Sequence, residues 1–302
     1  MTNKGFPQTF LGLNIIRDHS DGSITINQAG KIDKLLSDLK MTNSRAVKMP
    51  LDPSLPLTKC RPEEKACEDV TLYQSILGKL SHMALYSRPD ISFAVSKLSQ
   101  FSHDPSMAHF HALKHVVRYL KGTRNYSLKY YGGSSEHIGV SDADWAQDRD
   151  DRKSYTGYAF IVNGAPVSWN SHKQSTVALS TLQAEYMALS DASRECIARS
   201  HFYEELELPI PTPVIHSDNQ GALVTAQDPT NYSRTKHIDL RYHFIRDCIE
   251  DGTLAIDYVP GEDNPADIFT KALPHTKHAR CLDLLGIQMD YIEVSNNGAD
   301  FK

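Results

Sequence analysis

The sequence lacks the two features that would direct a chain into or across a membrane. No stretch approaches the roughly 20 uninterrupted apolar residues of a membrane helix. The first ten residues have neither the basic start nor the apolar run of a secretory signal. We therefore expect a cytoplasmic protein with no membrane partner.

Cysteine is also scarce, and its placement is informative. The cysteines are odd in number, scattered, and contain no C-x-x-C pair. This pattern argues against a disulfide framework and against a cysteine zinc site, so we expect reduced thiols. They are Cys60, Cys67, Cys196, Cys248 and Cys281.

The composition indicates a folded protein with an uneven charge distribution. The chain has 302 residues, of which 40% are hydrophobic and 23% charged, enough for one large domain or two moderate ones. Its net charge is −5, yet residues 71–130 contain eight basic and only two acidic residues. A basic block beside an acidic remainder suits a protein that holds a polyanion with one part and cations with the other. A solvated helical surface would give the same pattern.

The first half of the chain predicts a hairpin, a connector and helices. Two runs of alternating apolar residues, 10–16 and 23–27, flank a turn and precede a short helix. Prolines then crowd a stretch without apolar periodicity, which we interpret as an extended linker over 51–70. Residues 72–120 have helical spacing, with breaks at two X-Pro steps.

The last of these helices carries two stripes. Apolar residues recur at three- and four-residue steps up to Leu120, which predicts a face packed against a core. A second stripe is basic and predicts contact with nucleic-acid phosphates, unless it is simply solvated. The basic stripe consists of Lys114, Arg118 and Lys121.

From residue 131 onward, short apolar strands mix with helices, which is typical of a mixed sheet covered by helices in an α/β fold. Ser180 and Gln183 fit a capping box that fixes the start of a long helix. We predict strands at 138–142, 155–162, 167–171, 214–217 and 254–259, and helices from Thr181, near Gln220, near Ile238 and from Pro265.

Four carboxylates of this region lie where elements begin or end. Asp142 and Asp218 each close a strand. Glu185 lies near the start of the long helix, and Asp267 follows an Asn-Pro helix start. Taken singly, each has an ordinary structural explanation. If the two strands are neighbours, the carboxylates converge at one sheet edge and need cations to remain ionised; oxygen ligands select hard ions, chiefly Mg²⁺ or Mn²⁺.

Nine ordered motifs resemble the polyproteins of Ty1/copia-type retrotransposons, and the likeness covers nearly the whole chain. The later motifs are similar to the ribonuclease H domain, and the earlier ones to the end of the reverse transcriptase with its thumb or connection helices. The later motifs are Val140-Ser-Asp-Ala-Asp-Trp145, Ala184-Glu-Tyr186, Ser217-Asp-Asn-Gln220, Arg234-Thr-Lys-His-Ile-Asp239 and Asn264-Pro-Ala-Asp-Ile-Phe-Thr-Lys271. The earlier ones are Phe10-Leu-Gly-Leu13, Tyr73-Gln-Ser-Ile-Leu-Gly-Lys-Leu80, Arg88-Pro-Asp-Ile91 and Arg118-Tyr-Leu-Lys-Gly122.

The resemblance implies a ribonuclease H-like fold, a mixed five-stranded sheet flanked by helices, preceded by a helical region and a short hairpin remnant of the polymerase palm. The Tyr-x-Asp-Asp motif of the polymerase does not occur, so we expect a fragment without polymerase activity. Its partner would be the polymerase portion of the same polyprotein, in virus-like particles if the element is active. The implied segments are the palm end (1–50), the linker (51–70), the thumb or connection (71–130), the ribonuclease H domain (131–285) and a flexible tail (286–302).

The resemblance also implies the chemistry. Two divalent ions would be held by the four carboxylates and would catalyse hydrolysis of the RNA strand of an RNA/DNA hybrid. Asp144 shares the strand face of Asp142 and is the rival for the first ligand. We prefer Asp142 because the related pattern places the ligand directly after Ser or Thr at the strand end.

One feature of related enzymes is missing. They often carry a histidine in the loop before the last aspartate, whereas residues 258–264 contain none. Proton transfer would then fall to Glu262, Asp263, a water molecule or His237, although His237 also fits an ordinary residue at a helix start.

A hybrid is recognised by its shape and its 2′-hydroxyls, which calls for polar side chains beside the ions and cations along the backbone. Asn219 and Gln220 fit the first role, and Thr181 could assist. Residues predicted to contact the substrate farther out are Arg234, Lys236, His237 and Arg241, together with the basic stripe.

Two other functions fit parts of this pattern. A non-catalytic nucleic-acid-binding or assembly module would keep the basic block, and the missing polymerase half favours such a remnant. DNA integration on a related fold is disfavoured by the Asn219-Gln220 pair and by the upstream resemblance. The retained carboxylates favour the nuclease.

Overall fold

We describe a computed structural model of the chain, which covers residues 5–133, 137–208, 211–227 and 239–289. The chain begins with three short strands, β1 (Thr9–Phe10), β2 (Leu13–Arg17) and β3 (Ile24–Asn27), followed by helix α1 (Ala29–Asp38). The predicted strand at 10–16 is therefore two strands. Leu11 and Gly12 both have positive φ and turn β1 back onto β2, a geometry that glycine adopts without strain.

A layer of helices follows, made of α2 (Val70–Tyr86), a 3₁₀ turn (Pro89–Ile91), α3 (Ser92–Ser99) and α4 (Met107–Gly122). Both predicted helix breaks at X-Pro steps are present. The apolar stripe of α4 is buried as predicted, with Leu113, Val117 and Leu120 fully enclosed. Among the helices of the described residues, none combines the length and apolar character needed to cross a membrane.

The proline-rich segment 51–70 packs against these helices instead of spanning a gap as a linker. Leu51, Leu57 and Cys67 are buried in the helical core, and Ala66 forms an isolated bridge with Ser106. The prolines prevent regular structure, but the apolar residues between them are close enough to the helices to be buried.

Strands β4 (Tyr126–Tyr130) and β10 (Ile287–Met289) extend the N-terminal hairpins into an antiparallel sheet of order β1-β2-β3-β4-β10. This sheet corrects two predictions. The segment 71–130 is not wholly helical, and the tail expected from residue 286 starts with a strand that pairs with β4. The rest of the expected tail, from residue 290, lies outside the described residues.

The second sheet contains β5 (His137–Ala143), β6 (Tyr155–Val162), β7 (Ala165–Lys173), β8 (Val214–Ser217) and β9 (Ala255–Tyr258). Its order is β7-β6-β5-β8-β9, with β5, β6 and β7 antiparallel and β5, β8 and β9 parallel. This is the predicted mixed five-stranded sheet of an α/β fold.

Helices cover both faces of the mixed sheet. On one face lie α5 (Thr181–Glu205), α6 (Gln220–Gln227) and α7 (Asp239–Glu250), around a core that includes Phe160 and Tyr186. On the other face lie a 3₁₀ turn (Pro265–Phe269) and α8 (His275–Leu284). The single helix predicted from Pro265 is therefore wrong, because Pro274 separates the two pieces.

A buried polar network joins the helical layer to α8. The Arg88 guanidinium donates to both oxygens of Asp90 at 2.9 and 2.7 Å and to the hydroxyl of Thr123 at 2.6 Å. The Tyr119 hydroxyl donates to Asp90 at 2.6 Å, and the ring of His278 meets the Tyr119 ring edge-on at 5.5 Å. Because every charge in this network is paired, it can remain buried.

The burial of His278 predicts a stability that depends on pH. Burial lowers the pKa of His278 to about 4, whereas an unfolded histidine titrates near 6.5. The unfolded chain therefore binds more protons between these values, so this contribution is complete above pH 6.5 and is lost as the pH falls toward 4. When the pH falls from 8 to 5, we expect protonation linked to His278 to lower the free energy of unfolding by about 2 kcal/mol. Urea unfolding should show a smaller loss of stability over this pH range in His278→Phe than in the native chain. An identical loss in the two chains would contradict the assignment to His278.

Candidate metal centre

Three acidic side chains meet at one edge of the mixed sheet. Strands β5 and β8 are parallel neighbours, with Val140 opposite His216, so their carboxyl ends lie side by side. Asp142 lies near the end of β5, and Asp218 directly follows β8. One carboxylate oxygen from each of Asp142, Glu185 and Asp218 lies within 4.8 Å of the other two. The predicted convergence is thus present for these three residues, which we call the carboxylate triad.

The start of α5 places Glu185. The Ser180 hydroxyl accepts a hydrogen bond from the Gln183 amide at 3.1 Å, so the helix begins where the capping pattern predicted. Glu185 then reaches β5, where its carboxylate accepts from the backbone amide of Ala143 at 3.1 Å. Small side chains permit this close approach of helix and strand: Ala143, Ala178, Ala184 and Ala188 form a buried cluster.

The turn that carries Asp267 is fixed to the same strand. The Asn264 amide donates to the carbonyl of Ser141 at 3.0 Å, and its oxygen accepts from the amide of Ala266 at 3.1 Å. The Thr270 hydroxyl donates to Asp142 at 2.5 Å. These bonds hold the Asp267 turn against the end of β5, beside the triad.

Asp267 differs from the triad because lysines already occupy its oxygens. Lys271 forms an ion pair with one carboxylate oxygen and Lys277 with the other. The Lys271 ammonium also lies 3.7 Å from an oxygen of Asp142. Asp267 is therefore near the triad, but it does not share the 4.8 Å grouping.

The pKa values reflect this difference. Burial, reinforced by the charges of neighbouring carboxylates, raises the pKa of Asp142, Glu185 and Asp218. Burial alone would also raise the pKa of Asp267, but Lys271 and Lys277 reverse the shift and lower it. The triad carboxyls therefore hold their protons more tightly than ordinary carboxyls do, whereas the two lysines favour the ionised form of Asp267.

This donor set fits a hard divalent cation. The triad offers only carboxylate oxygens, which are the ligands of Mg²⁺ and Mn²⁺. A bound cation would favour the ionised form of these groups, which burial and the neighbouring carboxylates disfavour. Asp267 could join only if its oxygens left their lysines.

Asp144, the rival for the first ligand, points elsewhere. Its carboxylate accepts from the backbone amide of Tyr155 on β6 and lies outside the triad. Burial raises its pKa to about 7. The geometry therefore favours Asp142, as the sequence pattern did.

The polar residues predicted to bind the substrate lie near the triad, but not all of their side chains are free of protein contacts. Gln220 and Thr181 are exposed at the first positions of α6 and α5. The Asn219 side chain accepts from the amide of Ala222 at 3.0 Å, so its oxygen is used to start α6. Of the predicted proton carriers, Glu262 is exposed and Asp263 is paired with Arg280.

The basic residues predicted to hold phosphates are largely occupied by protein contacts. Arg118 donates to the carbonyl of Arg45 at 2.7 Å, and Lys121 to that of Ser44 at 2.5 Å, so both fasten the loop after α1. Lys114 lies 4.5 Å from the ring centre of Phe110. Their contact with a substrate stays a prediction.

Among the other residues predicted to contact phosphates, the one that the structure describes is also engaged by protein contacts. Arg241 donates to Asp191 at 3.0 Å and to the carbonyl of Met187 at 3.2 Å, which joins α7 to α5. Arg234, Lys236 and His237 lie outside the described residues.

Comparison with known proteins identifies the relatives of the chain. It is 36% identical over 291 residues, 95% of its length, to the "Retrovirus-related Pol polyprotein from transposon TNT 1-94" of Nicotiana tabacum. It is 36% identical over 280 residues, 92% of its length, to the corresponding polyprotein from transposon RE1 of Arabidopsis thaliana. The chain belongs to the Ty1/copia-type Pol polyproteins. It spans about a fifth of these curated relatives, 22% and 19% of their lengths.

Other comparisons concern family models and structures. No protein-family model matches the chain. The solved structure of LC11-RNase H1 is similar to 45% of the chain and 94% of its own length, at 16% identity and a TM-score of 0.36. Membership in the Pol family, together with the strand order of the mixed sheet, supports a ribonuclease H domain in this chain.

Sequence reasoning missed two features of this centre. The first is Lys271, although its position four residues after Asp267 within one motif is the spacing of a helical ion pair. The second is an exposed apolar surface formed by Trp145, Val177 and Leu179, which are 48%, 44% and 70% exposed. The indole nitrogen of Trp145 donates to the carbonyl of Ala178 at 3.1 Å, which holds this surface beside the alanine cluster.

A thermal shift experiment tests the ligand assignment. Mg²⁺ at ten times its dissociation constant should stabilise the native chain by about 1.4 kcal/mol, which raises Tm by roughly 3–5 °C. Glu185→Gln should lose this shift because the triad loses a charged ligand. Asp144→Asn is the matched control and should keep the shift, since Asp144 bonds to the backbone of Tyr155. A shift lost in Asp144→Asn and kept in Glu185→Gln would refute the triad.

Proposed function

We propose that this chain is a divalent-metal-dependent ribonuclease H that cleaves the RNA strand of RNA/DNA hybrids during retrotransposon reverse transcription. The observation that carries this proposal is the carboxylate triad, two buried acids and one half-buried acid with oxygens within 4.8 Å of one another. Membership in the Pol polyprotein family supports the same reaction. The remaining polymerase portion of such a polyprotein is the partner we propose.

In this mechanism Asp142, Glu185 and Asp218 hold Mg²⁺ or Mn²⁺. Bound divalent ions supply Lewis acidity, which lowers the pKa of the attacking water and stabilises the departing 3′ oxygen. The chain contributes position: the Ala143 amide holds Glu185, and the Thr270 hydroxyl holds Asp142. No side chain is needed as a nucleophile. Two ions and a role for Asp267 as the fourth ligand remain part of the proposal.

The surroundings of the triad suit a nucleic-acid duplex. Gln220 and Thr181 place exposed polar groups beside the triad, where 2′-hydroxyls would lie in a minor groove. The exposed ring of Trp145 and the side chains of Val177 and Leu179 offer an apolar surface for sugars or bases.

Cleavage of an end-labelled RNA/DNA hybrid tests the activity. We expect Mg²⁺-dependent cutting of the RNA strand that leaves 5′-phosphate and 3′-hydroxyl ends, with no cutting of the DNA strand. Asp218→Asn should reduce the rate at least about 100-fold, since it removes a ligand charge from the catalytic centre. Asp257→Asn, an exposed acid on the neighbouring strand β9, should retain the native rate. Binding of the hybrid without Mg²⁺-dependent cutting would support a non-catalytic nucleic-acid-binding remnant instead.

Equilibrium binding tests the apolar surface. Stacking on an aromatic side chain contributes about 1–3 kcal/mol per base, so Trp145→Ala should weaken hybrid binding roughly 5- to 150-fold in Ca²⁺ or EDTA. The Mg²⁺-induced shift in Tm should persist, because Trp145 is not a ligand. Leu85→Ala, which changes a more exposed apolar residue on α2, is the control and should bind normally. Equal affinities for all three chains would exclude this surface from the substrate site.

A further inference from the structure

The carboxylates at this sheet edge fall into two electrostatic groups. Both oxygens of Asp267 are paired with lysines, whereas the described ion pairs give the triad one lysine contact, the looser 3.7 Å pair of Lys271 with Asp142. The two groups are linked through Asp142, because Lys271 lies 3.7 Å from one of its oxygens. Lys271 is thus the one of these two lysines that contacts carboxylates on both sides.

Local structure holds Lys271 in this place. The backbone amide of Lys271 donates to the carbonyl of Asp267 at 3.2 Å, so the turn continues for four residues and returns the side chain over Asp267. The side chain is only 30% exposed, which places its charge largely out of solvent. If this ammonium moved into water, Asp142 would lose its lysine contact and Asp267 would keep only Lys277.

Lys277 supports the arrangement from the other side. Its ammonium pairs with the second oxygen of Asp267 and donates to the carbonyl of Gly261 at 3.3 Å. Gly261 itself lies against Asp218, since a Cβ at this position would come 2.8 Å from an Asp218 oxygen. Lys277 therefore ties the loop beside the triad to Asp267, while its own charge is directed at Asp267 alone among the described acidic contacts.

A divalent ion bound through Asp267 would have to take an oxygen that an ammonium now holds. It would also face the positive charge of Lys271 at close range, and like charges at such distances repel strongly when they are partly buried. An ion held by the triad meets weaker competition, because the described ion pairs include none to Glu185 or Asp218 and only the looser 3.7 Å contact of Lys271 with Asp142.

We propose that Lys271 is a positioning residue whose ammonium pairs with both Asp142 and Asp267 when no metal is bound there. In the absence of substrate, this ammonium limits the site to one tightly held divalent ion. A second ion binds through Asp267 only by displacing this ammonium. The inference rests on the proposed metal-dependent function, but it concerns cation occupancy and not hydrolysis.

Titration of the full chain with Mn²⁺, followed by electron paramagnetic resonance of the free ion, tests the proposal without substrate. The native chain should bind one ion tightly and a second at least about 10-fold more weakly. In Lys271→Met the second ion should bind about 10-fold tighter than in the native chain, because its competitor is gone. Lys271→Arg keeps the charge and should restore the native stoichiometry. Lys129→Met, which removes a lysine from a distant surface ion pair with Asp21, should bind as the native chain does.

Melting in EDTA supplies an independent readout. Lys271→Met should have a lower Tm than Lys129→Met because Asp142 and Asp267 lose their cation, and excess Mn²⁺ should recover most of the loss. If Lys271→Met does not fold, Lys271→Gln replaces it, since its amide can still donate to Asp267 while the charge is absent.

The outcomes separate this inference from the proposed function. Native-like binding of the second ion by Lys271→Met, or identical behaviour of Lys271→Arg and Lys271→Met, would overturn the role of the Lys271 charge. The predicted binding pattern in a chain that does not cut hybrids would support the inference and overturn the nuclease. Absence of Mn²⁺ binding in every chain would overturn both.

Discussion

The repulsion among Asp142, Glu185 and Asp218 is the constraint on which the rest of this structure depends. Parallel pairing of β5 with β8 and the close packing of α5 bring three acids together at a buried edge, where charges are costly. Ordinary core packing would separate them. Here the surrounding bonds hold them in place, from the Ala143 amide on Glu185 to the Thr270 hydroxyl on Asp142. The fold thus keeps an electrostatic cost that a bound cation can offset.

The same constraint explains the asymmetry of the site. If all four carboxylates lacked partners, the edge would carry four charges at low dielectric and the fold would lose stability accordingly. Pairing Asp267 with Lys271 and Lys277 offsets one of these charges, while the triad keeps the carboxylate oxygens that we propose as cation ligands. Asp267 therefore contributes to stability through its ion pairs, whereas the triad is left for binding. Lys271 contacts both groups, because it pairs with Asp267 and lies 3.7 Å from an oxygen of Asp142.

How far the sequence could predict this arrangement depends on the range of the forces involved. Local signals were sufficient for the strand Tyr155–Val162 and for the start of α5, where alternation and capping act within a few residues. They failed for β10, since Ile287–Met289 is too short to show a period and is defined only by pairing with β4. Similarly, the stripe that includes Arg118 identifies a polar face, but the carbonyl of Arg45 that it binds lies 73 positions away in sequence.

The helical layer bears on the site more directly than its place in the sequence suggests. Lys97 on α3 and Lys173 on β7 pair with Asp148 at 2.8 and 2.9 Å, within the loop that connects β5 to β6. The ring of Phe93 meets that of Tyr155 at 5.0 Å, and the Tyr155 amide fixes Asp144. Because Asp142 lies near the end of β5, just before this loop, a shift of α3 would reach the triad through one strand end. The upstream helices are therefore part of the support that keeps mutually repelling carboxylates at a fixed spacing.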